Sequence, residues 1–279
     1  MALTINSNIS AFSAVRNINR TGSDLAKVLE RISSGLRVYR SADDPAGLAV
    51  ATNLATQEMS TRRAVTNSNY GISLVETAES ASSEVTNILQ SMRELAVQSS
   101  SETITSTERT AIQDEFAELQ DEVARIAAST EYNDIQLTDG SVTELDVQVG
   151  TTSGSESRIT IDLGDLTTSN LSINAVAVSS VSSAGSAITA LDTALDSVNG
   201  FRSNLGAVSN RLESAVNLGE SYADSLATGQ SSIVDADLAY ESVALARLQL
   251  IQKAGLAALV QAMSLNRSAV TSLLSPLYS

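Results

Sequence analysis

The sequence predicts a mainly α fold: a long antiparallel helical bundle or coiled coil drawn from both termini, with a small β-containing segment in the middle. Three observations predict it. Apolar residues recur at alternating steps of three and four through both terminal halves. The prolines are Pro45 and Pro276, so the strongest helix breaker is absent between them. Aromatic residues make up 3% of the 279 residues and Trp is absent, while Ala, Val, Leu and Ile supply most of the 43% hydrophobic fraction. Such side chains suit narrow seams between helices better than a many-layered core, so the chain reads as elongated.

The first stripe runs through Ile18, Leu25, Leu29, Ile32 and Leu36. Ser33-Ser34-Gly35 and the residues to Tyr39 read as a break. A second helix starts at Ser41-Ala42-Asp43-Asp44-Pro45, where an Asp can cap and a proline at the first helical position needs no donor. Its seam is Leu74, Ala78, Ala81, Val85, Ile88, Met92 and Leu95. If helical from Pro45 to about Gln98, it spans on the order of 80 Å at ~1.5 Å per residue. After a Ser/Thr break, Ile112, Phe116, Leu119, Val123 and Ile126 give a shorter helix folded back on it.

From Leu137 to about Ala184 the pattern changes to short alternations, Val142, Leu145, Val147 and Val149, then Ile159 and Ile161, which read as a few strands and turns. Val176 to Gly185 reads as a loose connector. Downstream, Ile188, Leu191, Leu195, Val198, Arg202, Leu205, Ser209, Leu212 and Val216 restore the helical step, with polar interruptions that set register. The last stripe is Leu256, Leu259, Met263, Asn266, Val270, Leu273 and Leu277. Stripes of this kind usually form intrachain core, but terminal stripes with no globular body beside them need partners.

The chain has no Cys and no His, which excludes disulfides, thiolate or imidazole metal sites and imidazole-based catalysis. No catalytic residue, cofactor or metal is expected, and the chain does not read as an enzyme. Glu144, Asp146, Asp162 and Asp165 match no calcium-loop spacing and read as surface carboxylates. Asn170-Leu-Ser172 is a sequon short enough to arise by chance.

The net charge of −15 is uneven. Residues 1–40 carry Arg16, Arg20, Lys27, Arg31, Arg37 and Arg40 against Asp24 and Glu30, so the acidity lies in the body, which argues against nucleic acid as a partner. MALTINSNISAF has neither the basic n-region nor the apolar h-region of a Sec signal, and none is expected. The most apolar run, Ser242 to Leu265, holds Arg247 and Lys253, so it is expected to pack on protein and not to span a bilayer.

Several segments in order resemble the bacterial flagellins: MALTINSNISA at 1–11, LERISSGLRVYRSADDPAGLAVA at 29–51, NSNYGISLVETAE at 67–79 and ILQSMRELAVQSS at 88–100. They continue with RIAASTEYNDIQLTDGS at 125–141, LGAVSNRLESAVNL at 205–218 and DADLAYESVALARLQLIQKAGLAALVQA at 235–262. The resemblance covers both ends and leaves the middle unmatched.

The resemblance implies a structural subunit that self-assembles into the extracellular flagellar filament for swimming, secreted through the flagellar channel unfolded and folding at the tip. It implies inner-core terminal helices and linkers at 1–44 and 221–279, an outer helical rod at 45–136 and 186–220, and a short variable strand and turn region at 137–185 with no large outer domains. Homopolymer seams would include Ile18, Leu25, Leu29, Ile32, Leu36, Leu256, Leu259, Met263, Val270 and Leu273. Arg31, Arg37, Arg40, Asp43, Asp44 and Pro45 would form the linker and cap. The export apparatus, a secretion chaperone, the filament cap and hook-junction proteins are the other partners it implies.

The stretch from Leu89 to Gln98 resembles the one that the animal innate-immune flagellin receptor recognises. Leu89, Gln90, Arg93, Leu95 and Glu115 form the candidate contact region. Ser91 stands where recognised members commonly carry an arginine, and loss of that multidentate, stacking side chain implies weakened engagement. The alternatives are a related hook–filament junction protein and a secreted amphipathic protein that interacts with membranes.

Overall fold

The computed structural model describes residues 8–274. Its helices are α1 (Ile9–Ser34), α2 (Pro45–Ser99), α3 (Ser106–Ser129), α4 (Val181–Val234) and α5 (Leu238–Leu274), and its strands are β1 (Glu131–Tyr132), β2 (Ile135–Gln136), β3 (Glu144–Gln148) and β4 (Arg158–Asp162). The chain divides into two compact units, residues 1–55 with 226–279, and residues 56–225.

Each helix starts where a side chain can satisfy its free N–H groups. Asn8 accepts from the Ala11 N–H at 2.9 Å. Asp44 Oδ1 accepts from Gly47 N–H at 2.9 Å, one residue before Pro45. Thr105 and Glu108 form a reciprocal capping box at α3. Ser180 Oγ accepts from Ser183 N–H at 3.1 Å at α4, and Asp237 Oδ1 accepts from Ala239 N–H at 2.9 Å at α5. At the other end of α1, Gly35 takes φ 73°, a left-handed conformation that lets its N–H reach Arg31 O at 2.8 Å.

The unit of residues 56–225 holds two apolar clusters. One joins Val85, Leu89 and Met92 of α2 to Phe116 and Val123 of α3, Ile173 and Val178 of the connector, and Leu191 and Val198 of α4. The other joins Leu74, Val75 and Ala78 of α2 to Val147, Ile159 and Ile161 of the hairpin and Leu205 and Leu212 of α4. The expected α2 seam is present but wider, because Val75, Leu89 and Ala96 are buried as well. A helix that packs on two neighbours at once buries more than one heptad seam.

β3 and β4 pair antiparallel with Leu145 opposite Ile161 and Val147 opposite Ile159, so the alternating apolar residues share one face. Gly71 lets this face approach α2: a Cβ there would stand 3.1 Å from a Val147 methyl and 3.3 Å from Leu212. The turn between β1 and β2 places Asn133 at φ 53° and Asp134 at φ 62°, the left-handed pair of a tight hairpin.

The loose connector expected from Val176 to Gly185 is a correction. Val178 is fully buried and α4 already starts at Val181. The Val178 N–H donates to Gln113 Oε1 at 2.6 Å, Gln120 Nε2 donates to Val176 O at 3.0 Å, and the Ser99 hydroxyl donates to Val178 O. Side chains from α2 and α3 thus satisfy backbone groups that Ser-rich composition alone suggests are left to water.

Candidate assembly surface

In the unit formed by residues 1–55 and 226–279, α1 and α5 run antiparallel. Asn8 Nδ2 donates to Ala262 O at 3.2 Å at one end, and Arg31 Nη1 meets Glu241 Oε1 at 3.3 Å at the other. Between these points Ala14, Ile18 and Thr21 face Ile251, Gly255 and Ala258 across a crevice. Gly255 sets the approach, since a Cβ there would stand 3.1 Å from Ile18 Cγ1.

The pairing leaves much of both helices' apolar surface uncovered. Ile9, Phe12, Val15 and Leu29 are exposed on α1, and Leu238, Tyr240, Val243, Leu250, Leu256, Val260 and Met263 on α5. By length and composition alone Leu238–Ser264 could cross a membrane, with mean hydropathy 1.4 and none of its most apolar window buried within the chain. Arg247 and Lys253 interrupt it. An apolar patch on this scale marks a contact surface.

The sequence-predicted seam residues therefore separate into groups. Ile18, Leu25, Ile32, Leu36 and Leu259 are half-buried, whereas Leu29, Leu256 and Met263 face outward. The idea that the terminal stripes wholly lack intrachain partners is corrected: each helix partly covers the other, and on α5 Leu259 of the predicted stripe is half-buried together with Gly255 and Ala262, while Leu256 and Met263 stay exposed. Val270 and Leu273 lie within the α5 backbone, but their side chains fall outside the described residues, as does Leu277 entirely. Val243, Leu250 and Val260 were not picked out from heptad steps, because a helix apolar on several faces has no single stripe to find; the apolar run itself was the signal.

The linkers close this unit. Leu36 bridges to Asp235, Arg37 N–H donates to Val234 O at 2.7 Å, and Ala236 N–H donates to Gly35 O at 2.9 Å. The Arg37 guanidinium donates to Ile233 O, so a cation sits at the C-terminal end of α4 where the helix dipole favours it. Arg40 pairs with Glu30, and its N–H donates to Asp43 Oδ2 at 3.1 Å. Arg31 pairs with a buried carboxylate, since the Glu241 side chain is 6% exposed.

On the candidate receptor segment, Gln90, Ser91 and Glu115 are exposed, and Arg93 is bonded to Asp192 on α4 at 2.6 Å. That bond raises the Arg93 pKa. Leu89 is a correction: it is fully buried against α3 and α4 and offers no side chain to an outside partner, while Leu95 is half-buried at the same cluster's edge. Two of the middle carboxylates are engaged with protein donors. Asp146 accepts from Thr160 Oγ1 at 2.7 Å and lies 3.6 Å from Arg158, and Asp165 accepts from Thr167 N–H at 2.9 Å.

Comparison with known proteins places this arrangement. Residues 5–143 match the bacterial flagellin N-terminal helical region and residues 188–274 the bacterial flagellin C-terminal helical region. The chain is 38% identical to a flagellin of Halalkalibacterium halodurans over 260 residues, covering 93% of this chain and 96% of that one. It is 37% identical to a flagellar filament core protein of Brachyspira hyodysenteriae over 284 residues, covering 96% and 99%. Among solved structures, a putative flagellar hook-associated protein from Vibrio parahaemolyticus shares the fold at a TM-score of 0.59 and 14% identity, covering 69% of this chain and 100% of that chain.

Proposed function

This chain belongs to the bacterial flagellin family, and we propose that it is a structural subunit that polymerises with copies of itself into the extracellular flagellar filament. The observation that carries the reading is the paired α1 and α5 with their uncovered apolar side chains, which lie within the two matched terminal regions. Burial of such a surface against other copies is favourable at roughly 25 cal/mol per Å² of apolar area, and a head-to-tail contact that does not close a ring propagates. The relation to a hook-associated protein is one of fold alone, and the full-length similarity to a flagellin and a filament core protein favours the filament reading over a junction role.

In this reading residues 1–44 and 221–279 form the inner core, 45–136 and 186–220 the outer helical layer, and 137–185 a small outward cap. The division of the chain into residues 1–55 with 226–279 and residues 56–225 supports a separation of terminal from central parts near these bounds. The subunit leaves the cell unfolded and folds at the filament tip, with a chaperone covering α5 beforehand; a chain without cysteine forms no disulfide that would obstruct that route. Its role is structural and not enzymatic. Export, cap and hook-junction proteins are its other partners, and the animal receptor meets it weakly through exposed residues around Ser91.

Negative-stain electron microscopy of the purified chain, seeded or treated with a precipitating salt, tests the proposal beside a truncation that lacks residues 1–35. Long uniform filaments from the intact chain alone are expected. Absence of filaments under every condition would overturn the reading.

A further inference from the structure

The chain contains no Cys, His or Trp, so methionine sulfur is its most readily oxidised group. Two of the described methionines matter by contrast: Met92 is fully buried in the central core, whereas Met263 is 60% exposed. Met263 continues a stripe with Leu256 and Val260, at spacings of three and four that put them side by side on one face of α5, and those neighbours are 48% and 67% exposed. Met59 is exposed to a similar degree, at 62%, but belongs to the other unit, on α2 beside the polar residues Ser60, Arg63 and Asn67.

We propose that Met263 is a reversible oxidation site that governs polymerisation, an inference that rests on the filament reading above. A peroxide is the oxidant. The thioether sulfur attacks one peroxide oxygen, the O–O bond breaks, and the products are methionine sulfoxide and, from hydrogen peroxide, water. Sulfur loses two electrons and the peroxide gains them. The sulfoxide places a strong acceptor in a stripe of aliphatic side chains, where burial beside Leu256 and Val260 in a contact with a neighbouring copy would strip its water. Oxidation therefore acts on the free subunit, and incorporation into polymer shields the sulfur. Reduction by a thiol-dependent sulfoxide reductase restores the apolar side chain.

The test uses the full chain, hydrogen peroxide as the probe, sulfoxide mapping by mass spectrometry and the critical concentration for polymerisation. Sulfoxide at Met263 is expected to raise that concentration by about ten-fold, the scale of one unsatisfied buried acceptor. Met263→Leu is expected to show the same critical concentration with peroxide as without it, whatever its untreated value, Met59→Leu to remain peroxide-sensitive, and Met263→Gln to polymerise poorly without any oxidant. Met263 in preformed polymer is expected to oxidise more slowly than in free subunits. Normal polymerisation of chains with mapped Met263 sulfoxide, or equal peroxide sensitivity in Met263→Leu, overturns the proposal while leaving the filament reading intact. Failure of the untreated chain to polymerise overturns both.

Discussion

In the unit of residues 56–225, Phe116, Leu89, Met92 and Leu191 are fully buried, whereas in the unit of residues 1–55 and 226–279 Phe12, Val243, Leu250 and Val260 are 64–70% exposed. The two are built from the same helical material and the same apolar residue types. What differs is the number of neighbours each helix finds within its own chain. In the first unit α2, α3, α4, the connector and the β3–β4 hairpin surround common clusters; in the second, α1 and α5 have chiefly each other. A two-helix pair cannot cover its own apolar surface, so the first unit is organised to fold and the second, in the proposed filament, to be completed by other copies.

The sharpest way to break this contrast is to make the same kind of change in both units. Phe116→Ala is expected to destabilise the central unit by about 3–5 kcal/mol, since it empties a fully buried aromatic site. Val260→Ser, on the exposed stripe, is expected to shift monomer stability by no more than about 0.5 kcal/mol while raising the critical concentration for polymerisation. Chemical denaturation and sedimentation of polymer read the two quantities separately. A Val260→Ser chain that unfolds easily but polymerises normally would reverse the assignment of roles.

A second, smaller effect addresses how the terminal pair holds its register. Glu241→Ala removes the buried partner of Arg31 and is expected to cost about 1–3 kcal/mol of local stability, because a half-buried guanidinium is left without its carboxylate. Hydrogen exchange at Arg37 and Ala236, whose N–H groups bridge the linkers, should quicken while exchange at Val178 in the central unit stays unchanged. Equal acceleration at both places would show that the units do not open independently.

The same contrast explains what was legible in the sequence. The α2 and α3 seams could be read because Leu74, Val85, Met92, Phe116 and Val123 follow a single helical face that meets a partner inside the chain. The start of α2 could be read because Asp44 and Pro45 have one local meaning. The connector could not, because Val178 is held by Gln113 and Ser99 and Val176 by Gln120, residues 56 to 79 positions away in sequence, and polar composition does not record such partners. For α5 the periodic rule selects Leu259, which is half-buried, together with Leu256 and Met263, which are exposed, and it passes over Gly255, where a Cβ would stand 3.1 Å from Ile18 Cγ1. Close helix approach is decided by what is missing from a position, which an apolar pattern does not register.

Ser91→Arg probes the outer surface of the central unit instead of its core. Ser91 is exposed on α2 and its hydroxyl only returns to Asn87 O at 3.2 Å, so replacement should leave stability within about 0.5 kcal/mol. It should increase activation in a cell reporter of the animal flagellin receptor, because a guanidinium adds the planar multidentate contact that serine lacks. Unchanged activation would remove Ser91 from the explanation of weak recognition.

The smallest expected effect is the acid sensitivity of the central unit. Hydrogen bonds from the Thr105 backbone and then its hydroxyl hold the Glu108 carboxyl below its ordinary pKa; Arg125 does the same for Glu122, and the Ser141 hydroxyl and N–H for Asp139. All three lie within residues 56–225. A lowered folded-state pKa means that the unfolded chain binds protons first, so this support is fully present above the ordinary carboxylate range, around 4, and is lost as pH falls through the lower folded values. Glu108→Gln should therefore flatten the acid limb of the central unit's unfolding curve slightly, with no change near neutral pH beyond a weakened cap. Glu108 is solvent-exposed, so raised salt should shrink the difference, whereas the burial of Phe116 is not screened by salt. An acid limb that is unaltered by Glu108→Gln would mean that the Thr105 cap contributes through its neutral hydroxyl alone.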